Sequence, residues 1–225
     1  MSKVAEIRVG AQAAYYNTLK GRRTFTFQGK TYKYLFRRYN TTYANERAVE
    51  IPIAMAAVRQ HPDERILEVG NVLAHYYPHH HDVLDKYEQA LGVMNGDVVD
   101  FAPGKLYDLI VSISTLEHVG WDENPRDPPK FLRGVEHLAT LLAPGGRMLV
   151  TLPIDYNAAL DAFLQEGRVP FTSIAYLQRV SDDNQWREAV WDEVQGAKYI
   201  HARRNAIGMG VSPTAQGLVI GTLQR

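Results

Sequence analysis

A chain of 225 residues, 45% of them hydrophobic, can bury the core of one larger α/β domain, and its 25 basic residues balance 25 acidic ones, so the overall charge points to no nucleic-acid or membrane partner. It has no cysteine, which excludes disulfides, thiolate metal sites and a cysteine nucleophile, and suits a reducing, cytoplasmic compartment. The opening MSKVAEIRVG lacks the apolar centre of a signal peptide, and no run approaches the ~18 apolar residues of a spanning helix, so a soluble protein is expected.

Residues 1–60 form an extension ahead of the main pattern. Within it, TFTFQGKTYKYLF alternates Phe25 and Phe27 with Tyr32, Tyr34 and Phe36 about Gln28-Gly29, which predicts a short hairpin outside the main sheet. Asn45 to Gln60 then sets Val49, Ile53, Ala56 and Ala57 at helical spacing, with Asn45 as cap and Pro52 as an internal defect.

From Arg65 the chain alternates strand and helix: RILEVG, HDVLDKY, GDVVDF, YDLIVSIS, the helical PPKFLRGVEHLATLLA, and the strand RMLVTLPI. Such alternation predicts a mostly parallel sheet flanked by helices. In that helix Phe131, Val135, Leu138 and Leu142 repeat every three or four residues, and Pro144-Gly145-Gly146 is expected to stop it before the next strand. After Pro153 the pattern predicts a helix at NAALDAFLQ, a strand near FTSIAYLQR, a Trp-bearing stretch NQWREAVWDEV and a final strand GLVIGTLQ.

In an open parallel sheet, ligands lie across the carboxyl ends of the strands. At the first end, Gly70 lets the backbone approach a ligand and Glu68 can accept from a cationic amine, with Asn71 beside them. At the second, Asp85 can accept both hydroxyls of a ribose. At the third, Asp97 can accept from an adenine amine while the amide of Val98 donates to the ring. The fourth is SISTLEHVGW, with Ser112, Ser114, Glu117 and His118.

LEVGN, VLDKYE, NGDVVDF, YDLIVSISTLEHV and LLAPGGRMLVTLP together resemble the successive motifs of class I S-adenosylmethionine-dependent methyltransferases, over about Arg65 to Pro153. The resemblance implies a Rossmann-like, mostly parallel seven-stranded sheet, a methyltransferase domain over 61–225, and S-adenosylmethionine as cofactor. It further implies Gly70 and its neighbours at the methionine end, Asp85 at the ribose, Asp97 and Val98 at the adenine, and Ser112 to Ser114 beneath the sulfonium.

Two departures stand out. Val72 occupies the place where this family usually has a second glycine, and VLAHYYPHHH reads as irregular chain where a helix normally follows. Arg47 on the preceding helix is therefore a candidate partner for the methionine carboxylate, a surface arginine being the plainer reading. His75 and the run His79 to His81 are read as loop histidines, because adjacent residues on an extended chain point to opposite faces and rarely chelate together; no metal is expected. His118 can take a proton from a substrate hydroxyl, with Glu117, Asp122 and Tyr156 as lesser candidates and simple positioning as the alternative. The tyrosine-rich N-terminal set with Arg37 and Arg38 suits either a flat substrate or a satellite core, and Trp121, Trp186 and Trp191 suit core or interface. Arg203 and Arg204 are expected on a solvated face.

The implied activity is methyl transfer to a sugar or small metabolite, through oxygen, with a small-molecule or glycan acceptor as partner. No Asn-Pro-Pro-Tyr-like sequence, often seen in amino methylators of nucleic acids, follows the fourth strand. A non-catalytic Rossmann-like binding or partner subunit, with a degenerate cofactor turn, is the alternative. A nicotinamide-dependent reductase is excluded, since no G-x-G-x-x-G follows the first strand.

Overall fold

The computed structural model describes residues 3–61, 65–204 and 211–225. Along the chain run α1 (Lys3–Leu19), β1 (Thr24–Phe27), β2 (Lys30–Lys33), α2 (Arg47–Arg59), β3 (Ile66–Val69), β4 (Asp82–Asp85), β5 (Val93–Asn95) and β6 (Tyr107–Ile113). They continue with α3 (Lys130–Thr140), β7 (Leu142–Pro153), α4 (Ala158–Gln165), β8 (Ser173–Arg179), β9 (Trp186–Ala189), α5 (Trp191–Val194), β10 (Tyr199–Arg204), β11 (Val211–Ala215) and β12 (Gly217–Gln224). The chain divides into two compact units, one of residues 1–53, 153–155 and 175–218, the other of 54–152, 156–174 and 219–225.

The main sheet has the order β5-β4-β3-β6-β7-β12-β8-β9. Its first five strands are parallel and, counted from β3, read 3-2-1-4-5, the Rossmann-like arrangement. The fold is thus α/β with a mostly parallel sheet, of eight strands where seven were expected; β9 joins β8 antiparallel, with Arg179 opposite Trp186. The parallel strands are short apolar runs because both faces are covered: Leu67, Leu84, Leu109, Ile110 and Val111 have at most 1% of their surface exposed. Phe131, Val135 and Leu138 of α3 are fully buried, as their spacing predicted.

Pro144-Gly145-Gly146 does not precede β7 but forms a bulge within it: Tyr107 pairs with Leu142, whereas Leu109 already pairs with Arg147. Gly145 has φ +79, and its N–H donates to the carbonyl of Arg225 at 3.0 Å, which anchors the C-terminal residue there.

In the first unit, β1 and β2 form the expected hairpin, with Phe25 opposite Tyr32 and positive φ at Gln28 and Gly29, the turn that matches strand twist. Helix α1 was not anticipated, because its apolar residues do not gather into a clear stripe. It is held by fully buried Tyr16, which packs on Phe36 and Tyr43 and donates to Asp183 at 2.8 Å. Tyr34, Phe36 and Tyr43 of the N-terminal aromatic set are therefore core, whereas Tyr32 is half-buried and Tyr39 exposed. Pro52 sits inside α2 because the carbonyl it leaves without an intrahelical donor, that of Ala48, accepts from the N–H of Leu35 at 3.0 Å. Arg203 and Arg204 lie in β10, which pairs with β11; their side chains lie outside the described residues. Among the described residues, no helix is long and apolar enough to cross a membrane.

Candidate functional site

The strand order reverses between β3 and β6, where Val69 and Ser112 are register partners, so the crevice opens beyond these two ends. Gly70 leaves β3 with φ +88, and a β-carbon there would stand 2.1 Å from Oγ1 of Thr115. Two chain segments thus cross at a point where only a glycine fits.

Glu68, expected to accept from a cationic amine, is wholly buried with both oxygens occupied. Oε1 accepts from the N–H groups of Val72 and Leu73 at 2.8 and 2.7 Å, and Oε2 lies 2.8 Å from Nε2 of His81. Glu68 therefore shapes the turn after Gly70 instead of presenting a carboxylate to a ligand. Val72, in a glycine's usual place, has φ -104, a conformation open to any residue, and its amide is held by Glu68. Asn71 is bound on two sides, its N–H to Asp85 Oδ2 at 3.1 Å and its Nδ2 to Glu88 Oε1 at 2.7 Å. Its Oδ1 is buried without a partner among the described residues.

Asp85 ends β4 as expected, and Oδ1 accepts from the N–H groups of Tyr87 and Glu88, both at 2.8 Å. Asp97 follows β5 but carries more than was foreseen. Its Oδ2 receives Lys86 at 2.8 Å and Lys130 at 2.5 Å, and the same two ammonium groups reach Glu123 at 3.0 and 2.6 Å. Burial pushes the Asp97 carboxyl up, but hydrogen bonds from Lys130 and Lys86 outweigh it and hold it down at about 2. An adenine amine would share Asp97 with two cations. Val98 is buried beneath α3, where a β-carbon on Gly134 would stand 3.0 Å from its Cγ1.

At the end of β6, Ser112 is buried and its hydroxyl donates to the carbonyl of Val69 at 3.1 Å, joining the two strands that flank the crevice. Ser114 has φ +38, a left-handed conformation uncommon for serine, and its N–H donates to the carbonyl of Thr151 at 3.0 Å. The chain then makes a 3-10 turn over Leu116–His118. Glu117 is buried, with Oε1 3.7 Å from Nε2 of His118, and its carbonyl accepts from Nδ2 of Asn157 at 2.8 Å. Asn157 also caps α4, Oδ1 accepting from Ala159 and Leu160.

His118 meets two of the lesser candidates. Nδ1 lies 2.5 Å from Asp122 Oδ2 and 2.9 Å from the Tyr156 hydroxyl, which itself donates to Asp122 at 2.6 Å. Burial raises the Asp122 carboxyl, but the bonds from His118 and Tyr156 lower it further, leaving it below its ordinary value. An ionised Asp122 only accepts, so in a neutral imidazole the proton sits on Nδ1 and Nε2 keeps the lone pair.

Arg47 belongs to the other compact unit, where its Nη1 lies 3.4 Å from Oε2 of buried Glu50. Trp186 is buried, its Nε1 donating to Asn184 at 2.9 Å; Trp121 is covered by the Arg126 guanidinium at 4.2 Å, and Trp191 packs on Tyr176. Lys86, Glu123, Lys130, His81, Glu88 and Asn157 were not foreseen as site residues. Only Asn157 carried a usable signal, an Asn directly before a helical run.

These residues fit S-adenosylmethionine. Among the described residues Oδ1 of Asn71 is an orphaned acceptor that suits the ammonium of an amino acid, and Asp85 and Glu88 bring carboxylates to the same turn.

No protein-family model and no curated protein matches the chain. Solved structures that it resembles include the N-methyltransferase NodS from Bradyrhizobium japonicum, with 15% identity, 80% of this chain and 96% of that one covered, and a TM-score of 0.44. Another is the sugar N-methyltransferase KedS8 from a Streptoalloteichus species, with 16% identity, coverage of 79% and 88%, and a TM-score of 0.40. A SAM-dependent methyltransferase from Thermotoga maritima matches over 100% of this chain and 99% of its own, at 12% identity and a TM-score of 0.42.

Proposed function

We propose that the chain transfers a methyl group from S-adenosylmethionine to the hydroxyl of a sugar or small metabolite. The observation that carries this reading is the His118–Asp122–Tyr156 triangle, placed just beyond the end of β6 at the edge where such folds bind ligands. When bound, the cofactor's sulfonium supplies an electrophilic methyl group. A neutral amine already carries a free lone pair, whereas a hydroxyl becomes a good nucleophile only as its proton leaves, so an oriented base favours an oxygen acceptor.

Nε2 of His118 takes the hydroxyl proton. Asp122 holds Nδ1–H and steadies the imidazolium that results, and Tyr156, donating to Asp122, fixes that carboxylate. The Glu117 side chain lies 3.7 Å from Nε2 on the same turn. Gly70 and Asn71 receive the methionine end.

The test joins calorimetry with S-adenosylmethionine to transfer of a labelled methyl group onto hydroxyl and amino acceptors. Binding is expected, with turnover on hydroxyl compounds that falls about 10²–10⁴-fold in His118→Gln while cofactor affinity is kept. Normal turnover in that variant would refute the base assignment. Absence of binding at millimolar cofactor would refute the methyltransferase reading, and binding with no turnover on any acceptor would favour a non-catalytic subunit.

A further inference from the structure

The acid that ends β4 is the natural partner for a ribose, yet Asp85 is largely spent on its own backbone. A carboxylate offers about four acceptor positions. In Asp85 three are filled, two on Oδ1 by the N–H groups of Tyr87 and Glu88 and one on Oδ2 by that of Asn71. Vicinal hydroxyls need two. To receive them, Asp85 would have to release an amide that shapes the turn on which it stands.

Three residues on, Glu88 is differently placed. Its Oε1 accepts from Nδ2 of Asn71 at 2.7 Å and lies 3.1 Å from Nε2 of His75, and Oε2 is hydrogen-bonded to the same ring nitrogen at 3.4 Å, so among the described residues each oxygen has one hydrogen-bond partner. The side chain is 38% exposed, so the carboxylate is reachable. The backbone beneath it is pinned at both ends of the turn, because Nδ2 of Asn95 donates to the carbonyls of Asp85 at 3.0 Å and Glu88 at 2.8 Å. Glu88 is also tied through Asn71 to the turn that begins at Gly70. A fixed carboxylate with one acceptor position left on each oxygen, joined to the cofactor turn, suits a ribose diol.

We infer that Glu88 receives the ribose hydroxyls of the adenosine cofactor and that Asp85 is a positioning residue that builds the turn carrying it. The inference rests on the methyltransferase reading above. Asp85 organises by accepting from the amides of Asn71 and Glu88, and so places the two side chains that bind one another.

The experiment compares the binding of S-adenosylhomocysteine, adenosine and 2′,3′-dideoxyadenosine to the wild-type chain, Glu88→Gln and Asp85→Asn by calorimetry, with thermal melts to verify folding. The wild type is expected to prefer adenosine over the dideoxy compound by roughly tenfold or more, as for hydrogen bonds to a charged group. In Glu88→Gln that preference should shrink to about twofold or less with the melting temperature little changed, while in Asp85→Asn it should persist with a lowered melting temperature. Loss of the preference in Asp85→Asn, or its retention in Glu88→Gln, overturns the assignment. Should Asp85→Asn not fold, the Glu88→Gln result decides alone. A wild type that binds S-adenosylhomocysteine without any hydroxyl preference overturns this inference and leaves the methyltransferase reading standing; one that binds none of the three overturns both.

Discussion

The bare α-carbon of Gly70 and the side chain of Thr115 occupy neighbouring space so closely that a β-carbon on the glycine would lie 2.1 Å from Thr115 Oγ1, 2.6 Å from Cγ2 and 2.8 Å from Cβ. Gly70→Ala therefore meets both a left-handed φ and a collision, and is expected to cost about 3 kcal/mol or more and to weaken cofactor binding. Thr115→Ala removes Oγ1 and Cγ2 but not Cβ. Combined with Gly70→Ala it should recover part of the loss and not all of it, as denaturant melts of the single and double variants would reveal.

Asn157 serves two partners, the first turn of α4 and the carbonyl of Glu117. Asn157→Ala should lower stability by about 2 kcal/mol, since it removes a cap and strands a buried carbonyl. Asn157→Ser keeps a capping oxygen but is too short to reach Glu117. It should regain about 1 kcal/mol of that loss while turnover stays depressed, which separates the helix cap from the support of the His118 turn.

The Lys86–Asp97–Lys130–Glu123 network sets an acid limit. The folded Asp97 carboxyl sits at about 2, below the ordinary 3.8, so its contribution is complete above the ordinary value and is lost as pH falls through about 2. Replacing the buried partner, Lys130→Met, lets the Asp97 carboxyl rise. The acid-unfolding midpoint followed by circular dichroism should move upward by roughly half a pH unit, with a loss of about 1–3 kcal/mol near neutrality.

Asp122 and Tyr156 can be told apart by kinetics. Asp122→Asn removes the acceptor that keeps the proton on Nδ1 of His118, and turnover should fall about 10²-fold or more with the affinity for S-adenosylhomocysteine unchanged. Tyr156→Phe removes one donor to Asp122 and should cost only about tenfold. A weakened cofactor affinity in either variant would place these side chains in cofactor binding and remove them from proton transfer.

GDVVDF lies just past the third strand, Val93–Asn95, and among the described residues no α-helix comes between β3 and β6. Most of the strands from Arg65 to Pro153, the hairpin about Gln28-Gly29 and the buried face of α3 were nevertheless legible in the sequence. They follow from local periodicity and turn chemistry, which depend on residues near one another in the chain. Gly70, Asp85 and Asp97 were found at strand ends for the same reason, and His118 with Asp122 lies within one short segment. Tertiary structure decided which groups have capacity left. Glu68 turned inward to His81 and two amides, Asp97 took one lysine from the loop after β4 and another from the start of α3, Asp85 filled with backbone donors, and Tyr156, 38 residues beyond His118, closed the triangle. Hydrogen-bonding capacity is settled by every donor within about 3 Å. Most of those donors arrive from distant parts of the chain, and no sequence spacing announces them.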